Sequence, residues 1–212
     1  MLVIVPHPDD ETLGCGQALH CAAAAGHALS IVLLTDGEGS HPASPSHPPE
    51  KLKTLRRSEF AKALHALTGD RPPAVTRLSL PDGATSAASL DDTHLERSIA
   101  AARAIDARAV WTTWDEDPHC DHQAAAALAR HTAEACDAQL WLFPVWGRFA
   151  KSANAPGLHI FDRPGARLAK RRAAAAHRSQ FTDLIDDDPD AFRMPAELLD
   201  HFLGHPELFI RG

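Results

Sequence analysis

The chain has 212 residues, of which 44% are hydrophobic, and its 28 acidic and 21 basic residues give a formal net charge of -7. This composition suits one domain with a sizeable core over residues 1–212, and the acidic balance argues against nucleic-acid binding or adhesion to an anionic membrane. No apolar run approaches the roughly 20 residues of a membrane helix, and four cysteines without a CxxC pair indicate the reducing cytoplasm.

Apolar runs alternate with helical patterns along the whole chain. In chain order we predict strand 2–6, helix 11–25, strand 29–35, a long polar loop 36–49, helix 52–67, strand 75–80, helix 90–105, strand 109–113, helix 122–135, strand 139–145, strand 159–162, a basic helix 170–178, an acidic solvated turn 183–190, and a helix with an extended end over 195–212. Strands alternating with helices of 10–15 residues are typical of βαβ units. The predicted fold class is therefore α/β, a single-domain Rossmann-like protein with a mostly parallel sheet and helices on both faces.

Two polar segments follow predicted strands and lead directly into helices. His7-Pro8-Asp9-Asp10-Glu11 follows the first strand, and His119-Cys120-Asp121-His122 follows the strand at 109–113. Ligands of such sheets bind beyond the carboxyl ends of the strands. The two segments can therefore meet although more than a hundred residues separate them.

These segments offer the ligand set of a catalytic metal. A catalytic zinc takes three ligands from His and Asp or Glu and keeps a fourth position for water, and His7, Asp10 and His122 provide such a set. Iron(II) also suits two histidines and one carboxylate. Asp9 would take a proton from the water as general base, although the spacing alone does not separate the role of Asp9 from that of Asp10.

The second segment supplies the remaining groups. His119 would stabilise the oxyanion or protonate the leaving amine, and Asp121 would orient His119. The alternative for either aspartate of the first segment is an ordinary helix N-cap. The joint occurrence of both segments at equivalent strand ends favours the metal site.

The motifs resemble those of the LmbE-like (PIG-L) deacetylase family. Residues 6–11 with Leu13-Gly14-Cys15-Gly16 resemble its first signature, and residues 119–122 resemble its second. Weaker similarities are Thr35-Asp36-Gly37, Arg56-x-x-Glu59 and His177-Arg178-Ser179-Gln180.

The resemblance implies a metal-dependent, usually zinc-dependent, hydrolase that removes the N-acetyl group from an N-acetylglucosamine-type sugar conjugate. It places the metal ligands on His7, Asp10 and His122, the general base on Asp9, and the acid or oxyanion-stabilising group on His119. In the family pattern Asp121 is the partner of that histidine.

The sequence departs from the family pattern at two positions. Cys120 replaces the usual proline of the second signature. Relatives in the mycothiol pathway use a tyrosine near this motif, but the chain has no tyrosine and Asp117 stands two residues before His119.

Substrate contacts are predicted for Arg56 on the helix 52–67 and for residues at other strand ends. Arg56 would reach a substrate hydroxyl or phosphate, or else form an i,i+3 ion pair with Glu59. Asp82 would bind sugar hydroxyls or serve as a turn residue. Trp114 would stack on a sugar ring or pack in the core, and the same alternatives hold for Trp146 and Phe149.

Other interpretations lead to different functions. One is a metal-dependent amidase acting on another N-acyl or thiol-conjugate substrate, and another is a non-catalytic sugar-binding module. Gly14-x-Gly16 lies inside a helix and is not followed by a third glycine at the required place, so we expect close helix packing there and no nucleotide cofactor. His41 and His47, in the polar loop, would either form a mobile lid or be solvated, and we expect them to be solvated.

Overall fold

The central sheet of the computed structural model, which describes residues 1–149 and 155–212, has seven strands in that part of the chain. They are β1 (Leu2–Val5), β2 (Ser30–Leu33), β3 (Ala74–Arg77), β4 (Ala109–Thr113), β5 (Gln139–Phe143), β6 (Leu158–Phe161) and β7 (Glu207–Arg211). Their order across the sheet is β3-β2-β1-β4-β5-β7-β6. The strands β1 to β5 are parallel, and β7 is antiparallel to both of its neighbours.

Helices cover both faces of this sheet. In the described residues they are α1 (Asp10–Ala24), α2 (Pro49–Thr68), α3 (Asp92–Arg103), α4 (Cys120–Ala135), α5 (Arg167–Ala174), α6 (Arg178–Phe181) and α7 (Ala196–Gly204). Side chains of α3 and α4 join one hydrophobic cluster with one face of the sheet, and those of α1, α2, α5 and α7 join a second cluster on the other face. The predicted α/β fold with a mostly parallel, doubly covered sheet is confirmed.

Helix α1 bends at Cys15, whose φ of -138° and ψ of 22° are not helical. The bend leaves backbone groups without helical partners, and a buried ion pair satisfies them. Lys170 Nζ donates to the Leu13 carbonyl oxygen at 2.8 Å and to Glu207 Oε1 at 2.7 Å. The Glu207 carboxylate also accepts the backbone N–H groups of Gln17 and Ala18. The C-terminal strand β7 thus helps to complete the helix that begins at Asp10.

The glycines of α1 allow close packing, as expected. A Cβ atom at Gly14 would lie 2.1 Å from the ring of Phe143, and one at Gly16 would lie 3.2 Å from the side chain of Lys170. Gly14 therefore lets α1 approach the end of β5 closely.

The tail has its predicted form, whereas two polar segments differ from the predictions. The tail does form a helix and an extended end, but that end inserts as β7 between β5 and β6. The acidic segment 183–190 is not simply solvated, since Asp188 is buried and accepts the backbone N–H of Ala43 at 2.8 Å. His41 is also buried, with Nδ1 3.0 Å from Ser40 Oγ, because the loop that carries it folds back against this segment.

Candidate metal centre and active site

The strands β1 and β4 are hydrogen-bonded neighbours at the centre of the sheet. This is the point where the strand order reverses, the preferred ligand site of open α/β sheets. The two polar segments lie side by side there. The His7 ring centroid is 4.9 Å from that of His119 and 5.4 Å from that of His122, and the centroids of His119 and His122 are 5.2 Å apart.

Three atoms that could bind a metal lie close together in this group. His7 Nδ1 lies 3.1 Å and His122 Nε2 3.6 Å from Asp10 Oδ2, and the ligand atoms of the three residues all lie within 4.8 Å of one another. His7, His119 and Asp121 satisfy the same distance limit. The structure therefore brings together the predicted ligands His7, Asp10 and His122.

The other nitrogen of each imidazole donor contacts a buried carboxylate. His122 Nδ1 donates to Asp117 Oδ2 at 2.8 Å. His7 Nε2 lies 2.9 Å from Asp121 Oδ2 and 3.1 Å from Asp82 Oδ1. Carboxylates in this position orient metal-binding imidazoles and raise their basicity. A site with two histidines and one carboxylate, in which a further carboxylate contacts each histidine ring, fits a divalent transition metal.

The carboxylates of Asp121 and Asp117 contact the rings of His7 and His122. The Asp121 carboxylate binds the ring of His7 and accepts the backbone N–H groups of Gly83 and Thr85 at 2.8 and 2.9 Å. It makes no hydrogen bond to the ring of His119, which the resemblance had given as its partner; only the Asp121 backbone N–H reaches that ring. Asp117 is fully buried against His122.

Negative charge dominates the centre. Burial alone would lower the pKa of His7, but hydrogen bonds to Asp10, Asp121 and Asp82 raise it well above its ordinary value. Burial opposes ionisation of Asp10, yet His122 and His7 lower the pKa of its carboxyl to about 2. The pKa of Asp82 is likewise lowered by the His7 hydrogen bond despite its burial. Such a group of ionised carboxylates stabilises a cation.

Asp9 adopts a backbone conformation that L residues rarely take, with a φ of 150°. It occupies the N-cap position of α1, but its side chain makes no capping hydrogen bond, so the N-cap alternative does not describe it. Its backbone N–H donates to Glu11 Oε2 at 3.1 Å. Conformations of this kind cost on the order of 1–3 kcal/mol and collect at functional sites.

The Asp9 carboxyl is buried beside one guanidinium. Arg56 Nη2 donates to Asp9 Oδ2 at 3.2 Å and to the Pro8 carbonyl oxygen at 3.0 Å, and Nη1 donates to the Gly37 carbonyl oxygen at 2.7 Å. Burial raises the pKa of Asp9 to about 6, although Arg56 opposes this shift. A carboxylate with a pKa in this range is suited to accepting a proton near neutral pH.

Residues of the weaker sequence motifs contact one another near the loop that carries Asp9. Glu59 is not the ion-pair partner of Arg56, because its carboxylate accepts the backbone N–H and the hydroxyl of Ser179 at 2.9 and 2.6 Å. His177 Nε2 lies 3.4 Å from Glu11 Oε1. The motif residues around Arg56 and His177 thus support the loop that carries Asp9.

His119 is the N-cap residue of α4, and its Nδ1 accepts the backbone N–H of Asp121 at 3.3 Å. The proton of the neutral ring therefore resides on Nε2. Burial and the neighbouring His7 and His122 lower the pKa of His119. The ring is thereby held as a neutral hydrogen-bond donor.

A cavity of about 440 Å³ opens over these groups, within the range of roughly 300–1,000 Å³ for small-molecule sites. The three metal-ligand candidates, Asp9 and His119 line it, as do the predicted substrate residues Arg56 and Asp82. Trp114 is not among its lining residues; it is buried in the core, packed near Gly147. The cavity wall also contains side chains to which the sequence patterns gave no site role or only an alternative one, namely Ser40, Trp146, Gln180, Phe192 and Met194.

Comparisons with known proteins agree with this architecture. The sequence profile of the PIG-L family, described as GlcNAc-PI de-N-acetylase, matches residues 2–133. Among curated proteins none matches the chain significantly. Within the described residues, no helix combines the length and apolar character needed to cross a membrane.

Several solved structures share the fold. A conserved protein from Thermus thermophilus is 26% identical, with a TM-score of 0.68 over 99% of this chain and 92% of that one. N,N'-diacetylchitobiose deacetylase from Pyrococcus horikoshii is 18% identical, with a TM-score of 0.73 over 100% and 82%. The zinc-inhibited form of teicoplanin deacetylase Orf2 is 19% identical, with a TM-score of 0.71 over 100% and 98%. At these identities the two deacetylase structures establish the shared fold.

Proposed function

The chain belongs to the PIG-L family, and on that premise we propose that it is a metal-dependent N-deacetylase acting on an N-acetylglucosamine-type sugar conjugate. The observation that carries the proposal is the convergence of His7, Asp10 and His122 in a cavity that Asp9 and His119 also line. A binding module would need neither a buried carboxyl beside a metal centre nor a neutral imidazole donor. The proposal treats residues 1–212 as one deacetylase domain.

His7 Nδ1, Asp10 Oδ2 and His122 Nε2 would hold the metal. When bound, it supplies a Lewis acid that polarises an amide carbonyl and lowers the pKa of water to roughly 7. Zinc is the metal we propose first, since the donor set is that of catalytic zinc sites, and iron(II) suits the same set.

Asp9 transfers the proton, and His119 stabilises the oxyanion. Asp9 accepts the proton that attacking water loses, and Arg56 orients its carboxylate through Oδ2. His119 directs Nε2–H towards the oxyanion that develops on the former carbonyl oxygen. The proton held by Asp9 then returns to the departing amine nitrogen, which leaves acetate and a free amino sugar.

The sugar substrate is supported by the family and by relatives of the same fold. The family description names a de-N-acetylase of GlcNAc-PI, and two structures of the same fold are deacetylases of diacetylchitobiose and teicoplanin. An amidase acting on another N-acyl compound would use the same residues, and a panel of acylated substrates separates the two. The four free cysteines support the proposed cytoplasmic location.

The deciding experiment combines metal analysis with acetate release. We expect about one zinc or iron per chain in protein purified without chelator, and loss of most of it in His122→Ala. We expect Asp9→Asn to keep the metal and to lose 100-fold or more in acetate release from N-acetylglucosamine conjugates, in line with the roughly 10²–10⁴-fold contribution of general bases. Asp70→Asn, at an exposed position, is the control. A wild-type protein that takes up neither metal, or an Asp9→Asn variant of full activity, contradicts the proposal.

A further inference from the structure

One wall of the cavity is apolar and aromatic. Trp146 and Phe192 both line it and meet edge to face, with ring centroids 5.8 Å apart at an angle of 88°. Leu13 and Met194 extend the same wall and are themselves buried. Phe192, in contrast, is 40% exposed. A large aromatic ring left partly open beside a catalytic centre offers a surface that a ligand can cover.

Backbone hydrogen bonds hold this wall in place. The N–H of Phe192 donates to the Ser40 carbonyl oxygen at 2.8 Å, and the N–H of Met194 donates to the Gln180 carbonyl oxygen at 3.0 Å. The N–H of Trp146 donates to Asp117 Oδ2 at 3.3 Å. Asp117 is also the partner of His122, so one carboxylate ties the aromatic wall to the metal centre.

Away from the proposed metal, the charged side chains around the cavity disfavour a negatively charged group on the ligand. Among the described residues that line it, Arg56 is the only arginine or lysine. Its two Nη atoms already donate to Asp9 and to two carbonyl oxygens. Asp9, Asp10 and Asp82 line the same space. Beyond the proposed metal, a phosphate or carboxylate on the substrate would meet the carboxylate of Asp82 and would have to compete with Asp9 for Arg56.

We propose that Trp146, Phe192 and Met194 form a subsite for the group that the sugar carries, and that this group is an uncharged aromatic ring. The inference rests on the proposed deacetylase function and narrows its substrate class. The sugar lies towards the metal ligands and Asp82, whose carboxylate can accept hydroxyl hydrogen bonds. The ring lies against the exposed face or edge of Phe192, in the offset or edge-on geometry that aromatic pairs prefer.

Three compounds that share the same sugar and differ only in the group at its anomeric carbon test the subsite on the zinc-loaded protein. They are N-acetylglucosamine, its 4-nitrophenyl glycoside and its 1-phosphate, each compared by kcat/KM for acetate release. We expect the aryl glycoside to exceed the free sugar by about tenfold, from stacking and apolar burial, mainly through a lower KM. We expect the 1-phosphate to fall below the free sugar.

Phe192→Ala should reduce the ratio between aryl glycoside and free sugar to about two or less. Leu168→Ala is the matched control, because Leu168 is a 58% exposed hydrophobic residue outside the cavity, and it should keep the ratio of the wild type. An aryl glycoside no better than the free sugar, a preferred 1-phosphate, or an unchanged ratio in Phe192→Ala would overturn the subsite.

Binding of the 4-nitrophenyl glycoside, followed by quenching of tryptophan fluorescence, separates the two proposals. If no sugar is hydrolysed but the glycoside binds and Phe192→Ala weakens that binding at least fivefold, the deacetylase proposal fails and the subsite stands. If sugars are hydrolysed but the glycoside binds no better than the free sugar, the subsite fails and the deacetylase proposal stands. Absence of both hydrolysis and binding overturns both.

Discussion

His122 donates a hydrogen bond from Nδ1 to Oδ2 of Asp117 at 2.8 Å, and both side chains are almost wholly buried. The same carboxylate accepts the backbone N–H groups of Val145 and Gly147 at 3.0 and 2.6 Å. Asp117 therefore fixes the orientation of the imidazole at the start of α4 and joins it to the loop after β5.

Replacing Asp117 should weaken metal binding without removing a ligand. An amide in Asp117→Asn turns one N–H towards backbone donors and no longer supports His122 as a carboxylate does. We expect metal affinity to fall by roughly 10- to 100-fold, measured by competition with a chelating dye. Asp115→Asn is the control, since Asp115 lies in the same loop but pairs with Arg130 near the surface. Equal affinities in the two variants would exclude the orienting role.

Replacing Arg56 even with lysine should lower the activity. Arg56 reaches Asp9 and two carbonyl oxygens from a buried position, and a lysine ammonium cannot reproduce this forked geometry. We expect Arg56→Lys to lower kcat by roughly 10- to 100-fold through misplacement of Asp9. Arg57→Lys changes the neighbouring residue, whose side chain is 41% exposed and pairs with Asp36, and it should retain near-normal kcat. A fully active Arg56→Lys variant would remove Arg56 from the positioning of the base.

The Lys170–Glu207 pair should matter for stability. Lys170→Met leaves the Glu207 charge buried and unpaired, so we expect a loss of about 3–5 kcal/mol in the free energy of unfolding. Urea denaturation measures this loss, and Lys62→Met, at an exposed position, is the control. The double variant Lys170→Met/Glu207→Gln should be less destabilised than Lys170→Met alone. Additive losses in the double variant would contradict an energetic coupling of the two residues.

Gly14 should not tolerate a side chain. The Cβ atom of Gly14→Ala would overlap the Phe143 ring, and overpacking of this kind costs roughly 1–3 kcal/mol. Gly165→Ala, where a Cβ atom meets nothing within 4 Å, should change the unfolding midpoint little. Combining Gly14→Ala with Phe143→Leu should recover part of the loss, and a Gly14→Ala variant as stable as the wild type would show that α1 can move away from β5.

Local patterns predict those parts of the fold that local interactions determine. The prediction of a strand at 109–113 has the observed bounds of β4, because a short apolar run between a helix and a polar loop has few alternatives. The position of β7 between β5 and β6 is different. It depends on pairing with residues far away in the chain, such as Trp141 with Arg211, and no local pattern in residues 207–211 encodes those partners.

In the candidate site, too, local motifs could be predicted from the sequence, whereas contacts between distant side chains could not. The two segments that contain His7, Asp10 and His122 could be placed together from the sequence because strand ends in a parallel sheet share one edge. The choice of Asp10 over Asp9 as a ligand came only from the family resemblance. The partners of these residues could not be predicted, since they depend on side-chain direction. The sequence shows Asp117 only as a departure from a tyrosine motif, yet its carboxylate contacts His122, and the carboxylate of Asp121 contacts His7.

The insertion of β7 also sets an order of events during synthesis. Helix α1 is synthesised early, but the N–H groups of Gln17 and Ala18 can be paired only after Glu207 has been synthesised. The same holds for the ion pair between Lys170 and Glu207. The helix that begins with the proposed metal ligand Asp10 is therefore completed only after residue 207 has been synthesised. The three proposed metal ligands are synthesised well before the strand that completes their scaffold, so we expect metal uptake, under the proposed function, to follow the folding of β7.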